Sequence, residues 1–182
     1  MSLTDPEITD LLNQWRSGDL SSRDKLVGII YPQLKKQCQA CLHQFGINLS
    51  LSATELANEV YLKLHQLMNF QFSHRLQFFA LQATLVRRII VDCARARSSV
   101  KRTEVALELD CSERTPAEWL DLEKALVDLH DKDSVSSDVV ELKVFGGRTA
   151  AEIAEILGIS TATITRKWKF AKAWIGAQLS NG

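Results

Sequence analysis

Apolar residues recur three or four positions apart along most of the chain, and no apolar–polar alternation persists beyond a few residues. This pattern predicts helices over residues 6–17, 21–44, 53–68, 75–97, 117–131, 135–145, 150–157 and 161–179. Local chemistry marks their ends. Asp19-Leu20-Ser21-Ser22 reads as a loop with a cap for the second helix. Ser52-x-x-Glu55 matches a capping box, in which the Ser hydroxyl takes an orphan backbone N–H and the Glu reaches back. Gly146-Gly147 ends one helix and Gly158 another, where positive φ costs little. The stretch Ser98 to Thr115 is polar and weakly periodic. The expected fold is therefore all-α, with two small helical domains over residues 1–97 and 117–182 and a polar linker over 98–116. The C-terminal domain is expected to be a helix-turn-helix.

The sharpest motif runs from Thr149 to Trp168. With Ala150 as its first position, small Ala154 falls where two helices must approach closely. Gly158 falls in the turn, and Ile164 falls where the second helix packs back on the first. Ile153, Leu157 and Ile159 supply the rest of the local core, and Ser160 suits an N-cap. A helix so placed can lie in a DNA major groove with its first residues on base edges. Its outward positions are Ser160, Thr161, Thr163, Thr165, Arg166, Lys169 and Lys172. Arginine can be bidentate to guanine, and threonine can bond a base or touch a thymine methyl. Lys169 and Lys172 suit phosphates.

Composition bounds this reading. The 182 residues are 46% hydrophobic and 24% charged, an ordinary globular balance with enough apolar content for one large or two small cores. No apolar run approaches a bilayer span, and Met1 to Gln14 lacks a signal-peptide hydrophobic region, so a cytoplasmic protein without membrane contact is expected. The formal net charge is zero, yet the charge is segregated. Arg87, Arg88, Arg95, Arg97, Lys101 and Arg102 lie close together with Asp92 as the one acid among them. From Ser160 onward there are bases and no acids, whereas Thr103 to Glu141 is strongly acidic. The basic stretches are nucleic-acid-compatible surfaces or solvated helix faces, and the scattered acids read as a solvated surface. Cys38-x-x-Cys41, with His43 nearby, raises zinc or redox chemistry. No second ligand pair has the right spacing, so core cysteines are the better reading and no metal is expected.

In the N-terminal half, Phe78, Leu81, Leu85 and Ile89 form one apolar stripe on the helix 75–97. The opposite face carries Thr84, Arg88, Asp92 and Arg95, with Arg87 beside it. A loop rich in aromatics and bases, Asn69 to Gln77, precedes this helix. Bases beside aromatics suit single-stranded DNA, with charge on the backbone and a pocket for a flipped base. Phe70, Phe72, Phe78 and Phe79 are each also ordinary core candidates.

The sequence resembles sigma factors of the extracytoplasmic-function group over nearly its whole length. Ser52-Ala-Thr-Glu-Leu-Ala-Asn-Glu-Val-Tyr-Leu-Lys-Leu64 is similar to the helix that binds the β′ clamp of RNA polymerase. Phe78-Phe79-Ala80 followed by Val86 to Arg97 is similar to the −10 helix. Val139 to Gly147 and Ser160 to Trp174 are similar to the −35 module. The resemblance implies a non-enzymatic adaptor without cofactors, which places core polymerase on promoters through the β′ clamp and β flap. It implies −10 contacts at His74, Arg75, Gln77, Arg87, Arg88 and Arg95. It implies −35 contacts at the outward residues of the last helix, and polymerase contacts at Glu55, Asn58, Glu59 and Leu62. One departure stands out. The clamp helix of this group usually opens Asp-Ala-Glu-Asp, and here Ser52 and Thr54 replace two of the carboxylates. Phosphorylation would restore negative charge at a helix N-terminus, so Thr54, or secondarily Ser52, is a candidate switch for a Ser/Thr protein kinase. Plain capping by Ser52 is the competing reading. An anti-sigma factor is a further candidate partner.

Two other functions compete. A self-sufficient helix-turn-helix regulator would normally dimerise on a palindrome, and nothing here reads as a coiled coil or dimer face. An enzyme would need a phosphate loop, nucleophile motif or metal-carboxylate cluster, and the sequence has none of them.

Overall fold

The computed structural model describes residues 5–44, 51–67, 75–100 and 116–180, and their regular structure is entirely helical. The helices are α1 (Asp5–Arg16), α2 (Leu20–Gln44), α3 (Ala53–Leu67), α4 (Arg75–Val100), α5 (Pro116–Lys132), α6 (Ser134–Val140), α7 (Ala150–Leu157) and α8 (Thr161–Ser180). A π-helical turn, Glu141–Phe145, continues α6. The all-α expectation holds, and each predicted helix is present within a few residues. Two differences matter. The fourth helix runs three residues further, into the expected linker, of which 101–115 lies outside the described residues. The last five residues of the predicted helix 135–145 are wound as π, with the Gly146 N–H donating to the Glu141 carbonyl at 3.0 Å.

The helix ends follow from side-chain capping. Asp19 accepts from the Ser21 N–H at 2.9 Å and the Ser22 hydroxyl at 2.6 Å. These two bonds hold its carboxyl below the ordinary range. Ser52 and Glu55 form the predicted reciprocal pair, with Glu55 N–H to Ser52 Oγ at 3.1 Å and Ser52 N–H to Glu55 Oε2 at 2.7 Å. Asp133 caps α6 by accepting from the Ser136 N–H at 3.1 Å.

Packing runs α1 on α2, α2 on α3 and α3 on α4, while α8 gathers α5, α6 and α7. α4 joins the halves, because it also packs on α5, on the π turn and on α7. One apolar cluster consequently runs from Ile8, Leu34 and Val60 through α4 to Trp119, Phe145, Ile153 and Ile164. The sequence pattern predicts one apolar stripe on α4; the structure buries two. Phe78, Leu85 and Ile89 form the predicted stripe, and Phe79, Ala83, Ile90 and Ala94 form a second. Helical spacing puts that second stripe beside Thr84 and Arg87, the residues that touch the C-terminal half.

Candidate nucleic-acid interface

Sequence chemistry fixes the α7–α8 pair at three points. Thr149 caps α7, accepting from the Glu152 N–H at 3.3 Å, while Glu152 accepts from the Thr149 N–H at 2.8 Å. Burial would raise the Glu152 carboxyl, but the Thr149 bonds and Arg148 at 3.0 Å outweigh it and hold it low. Gly158 then turns the chain at φ +66, a left-handed conformation that glycine takes without a Cβ penalty. Finally Ser160 Oγ accepts from the Thr163 N–H at 3.2 Å and starts α8. Ile153 and Ile164 are fully buried between the helices, and Ala154, Leu157 and Ile159 are half-buried around them.

This frame leaves Ser160, Thr161, Thr165, Arg166, Lys169 and Lys172 exposed, with Thr163 half-buried. The Thr165 hydroxyl donates to the Thr161 carbonyl at 3.0 Å, so its lone pairs and methyl remain for a ligand. Lys172 lies over the Trp168 ring at 5.6 Å. The remaining base of this helix, Lys167, points the other way and pairs with Asp133 at 2.6 Å. Burial would raise the Asp133 carboxyl, but Lys167 and the Ser136 bonds keep it low. The helix thus divides its bases between an open face and a structural pair.

On α3, Glu55, Asn58, Glu59 and Leu62 share one exposed face. Leu62 is 54% exposed, unusual for a large apolar side chain. Asn58 is held by the Tyr31 hydroxyl, which donates to it from α2. Thr54 is exposed in the first turn, while Ser52 is occupied by the capping box.

On α4 the expected −10 residues separate. Gln77, Arg88 and Arg95 lie on one exposed strip, where Arg95 stands 3.6 Å from Asp92. Arg75 opens the helix, and His74 lies outside the described residues, as do Phe70 and Phe72. Arg87 is elsewhere. It donates to both Glu123 oxygens at 2.9 and 3.0 Å and to Glu141 at 2.8 Å. Its side chain is 18% exposed. Burial opposes the guanidinium charge, but the two carboxylates outweigh it and hold Arg87 above its ordinary value. The other Glu141 oxygen accepts from the Thr84 hydroxyl. Two more links cross the same boundary. Arg148 stacks on Phe79 at 4.0 Å, and Gln37 donates to the Phe145 carbonyl while accepting from Gln82 at 2.8 Å.

These contacts correct the expectation of a wholly solvated acidic middle. Glu123 and Glu141 are partly buried acceptors of Arg87, because α5 and the π turn pack directly on α4. The signal available in the sequence was the second stripe of α4, which requires a cover. Cys38 and Cys41 are core residues, and burial pushes both thiols up to about 12. Cys111 lies outside the described residues. Among the described residues, no helix is long and apolar enough to cross a membrane.

A capped helical pair with an open basic, hydroxyl-rich face, set on a helical bundle, is of the kind that suits duplex DNA. The sequence carries this to a family: the model described as ECF sigma factor matches residues 5–181, and the chain belongs to that family. It is an alternative sigma factor, which binds core RNA polymerase and promoter DNA and directs transcription initiation. No curated protein matches the sequence.

Proposed function

We propose that this sigma factor reads the −35 element as duplex through α8 and the −10 element through α4, while the exposed face of α3 meets the β′ clamp. The observation that carries the −35 assignment is the open face of α8, which starts at the Ser160 cap and includes Arg166 and Lys169. Arg166 reads a base, Lys169 and Lys172 hold phosphates, and the threonines adjust to base edges. On α4, Arg88, Arg95 and Gln77 supply the exposed contacts, joined by His74, Arg75 and Arg87. Glu55, Asn58, Glu59 and Leu62 form the clamp contact, with residues 1–97 acting as one module and 117–182 as the other, which meets the β flap. The protein works in the cytoplasm, where the polymerase is.

Thr54 is the proposed phospho-acceptor for a Ser/Thr kinase. It is exposed at a helix start, and the neighbouring Ser52 oxygen is already bonded. A phosphate there supplies roughly −1.5 to −2 charges to a basic clamp surface. An anti-sigma factor is the alternative regulator. The test of the DNA assignment is a promoter-variant panel in run-off transcription with core polymerase. Arg166→Ala should relax preference at one −35 position, and Lys172→Ala should weaken every promoter alike. Equal effects of both on all variants would refute the division of roles.

A further inference from the structure

We infer that Thr165 is a specificity-determining residue of the −35 face. It commits the base pair it meets to A·T, accepting from the adenine 6-amino group while its methyl meets the thymine methyl of the same pair. The inference deepens, and rests on, the assignment of α8 to duplex DNA. It comes from what the four hydroxyls at the start of α8 are already doing. Ser160 and Thr163 are spent on each other, with their side-chain oxygens 2.9 Å apart and the Thr163 N–H donating to Ser160 Oγ at 3.2 Å. They build the cap, and Thr163 is half-buried. Thr161 is exposed, and its hydroxyl makes no bond among the described residues, so it can donate or accept and selects no base by that alone. Thr165 differs. It is exposed one turn further along the same row of the helix, and its hydroxyl donates to the Thr161 carbonyl at 3.0 Å.

That bond decides what Thr165 can read. A hydroxyl with a free proton serves any base edge, because it can donate or accept. Thr165 has given its proton to its own helix, and two lone pairs remain on the oxygen. To donate to guanine O6 or N7, or to thymine O4, it must break the helix bond; to accept from an amine, it keeps it. In the major groove, adenine N6 and cytosine N4 are the amines on offer. The methyl group separates these two. A threonine in a helix is split between rotamers, and the bond to the carbonyl four residues back selects one, so the methyl has a fixed direction beside the oxygen. An A·T pair presents an amine and a methyl together. A G·C pair presents an amine with no methyl, and two acceptors that Thr165 leaves unmet. Lys169, exposed one further turn along the row, sets the register of this contact by holding a phosphate.

The test uses holoenzyme assembled from the full chain and core polymerase. Duplexes are selected by binding from a pool randomised across the −35 region, with the parent, Thr165→Ser, Thr165→Val and Arg166→Ala. Both side chains are exposed, and far-ultraviolet circular dichroism verifies that each variant keeps its helix content. The parent should enrich A·T at the position where the two Thr165 variants alter the selection. Thr165→Ser keeps the acceptor and loses the methyl, so it should admit G·C there as readily as A·T. Thr165→Val keeps a methyl and loses the acceptor, so it should retain the thymine contact and ignore the amine. Two base analogues in the selected duplex check each half. Uracil for thymine should cost the parent about 4-fold in affinity, the worth of one methyl, and cost Thr165→Ser nothing. Purine for adenine, which lacks the 6-amino group, should cost the parent about 2–10-fold, the worth of one hydrogen bond, and cost Thr165→Val nothing. Enrichment of G·C at that position by the parent overturns the inference, as does parent binding that either analogue leaves unchanged. Altered selection by Arg166→Ala with none by either Thr165 variant overturns it and leaves the α8 assignment standing. Unaltered selection by all three variants overturns both.

Discussion

α8 and α4 are both assigned to promoter DNA, yet they treat their basic residues in opposite ways. On α8, Arg166 and Lys169 stand in solvent, and the one base that is tied down, Lys167, is tied to the cap of α6. On α4, the solvent strip keeps Arg88 and Arg95, while Arg87 is held by two acids from helices more than thirty residues further along the chain. The difference comes from packing. α8 packs on α5, α6 and α7 through one side, where Ile164 and Ala171 are buried and Trp168, Trp174 and Ile175 half-buried, and its other side stays in solvent. α4 is covered from two directions, so its charges are exposed only along a narrow strip. The open bases therefore lie on α8 and on the solvent strip of α4, while Arg87 is paired within the protein.

The largest expected effect comes from breaking the central helix. Arg87→Ala leaves Glu123 and Glu141 facing each other in a partly buried site. It should destabilise the free protein by about 2–4 kcal/mol, read by urea unfolding, slightly below the cost of stranding a fully buried charge. A change under about 0.5 kcal/mol would mean the triad is a loose surface pair. The edge helix should respond differently. Arg166→Ala should leave stability unchanged and cost about 1–3 kcal/mol of −35 duplex affinity, measured by titration at fixed salt.

Smaller changes sharpen the contrast. Ser160→Ala should cost about 1 kcal/mol of stability by removing the α8 cap, and it should weaken duplex binding without altering the single-strand contact. The Lys167–Asp133 pair gives a pH signature. The Asp133 carboxyl is lowered on folding, so its contribution is fully present above the ordinary carboxylate value of about 4 and is lost as pH falls below it. Lys167→Ala should therefore be less stable than the parent at neutral pH, with the gap closing in acid. A gap that widens in acid would contradict that sign.

Much of this was legible in the sequence because it is written locally. The capping box at Ser52, the cap at Ser160, the glycine turn at Gly158 and the spacing of Ile153 and Ile164 each involve neighbours within one or two turns, whereas the equally local capping box at Thr149 went unread. The exposure of Arg166, Lys169 and Lys172 on α8 follows from the same local spacing. What was not legible depends on contacts between distant segments. Phe79, Ala83, Ile90 and Ala94 are spaced as a second stripe, but Thr84 and Arg87 beside them made that side look solvated. Their partners Glu123 and Glu141 sat in a stretch whose acidity suggested a surface. The π turn left no trace either, since Val139 to Phe145 keeps an apolar pattern that an α-helix would also satisfy.

We propose that the chain places core polymerase on a promoter through two separate DNA faces. Run-off transcription with purified core polymerase, comparing the parent with Arg88→Ala/Arg95→Ala and with Arg166→Ala, tests it most directly. The parent should give promoter-dependent transcripts. The α4 variant should bind a −35 duplex normally but initiate poorly on double-stranded promoters, and recover on a template pre-melted at −10 if its defect is in opening. The α8 variant should lose initiation through duplex recognition alone. Transcripts of equal yield from all three proteins would contradict two separate DNA faces, as would promoter binding by the chain that core polymerase neither strengthens nor turns into RNA.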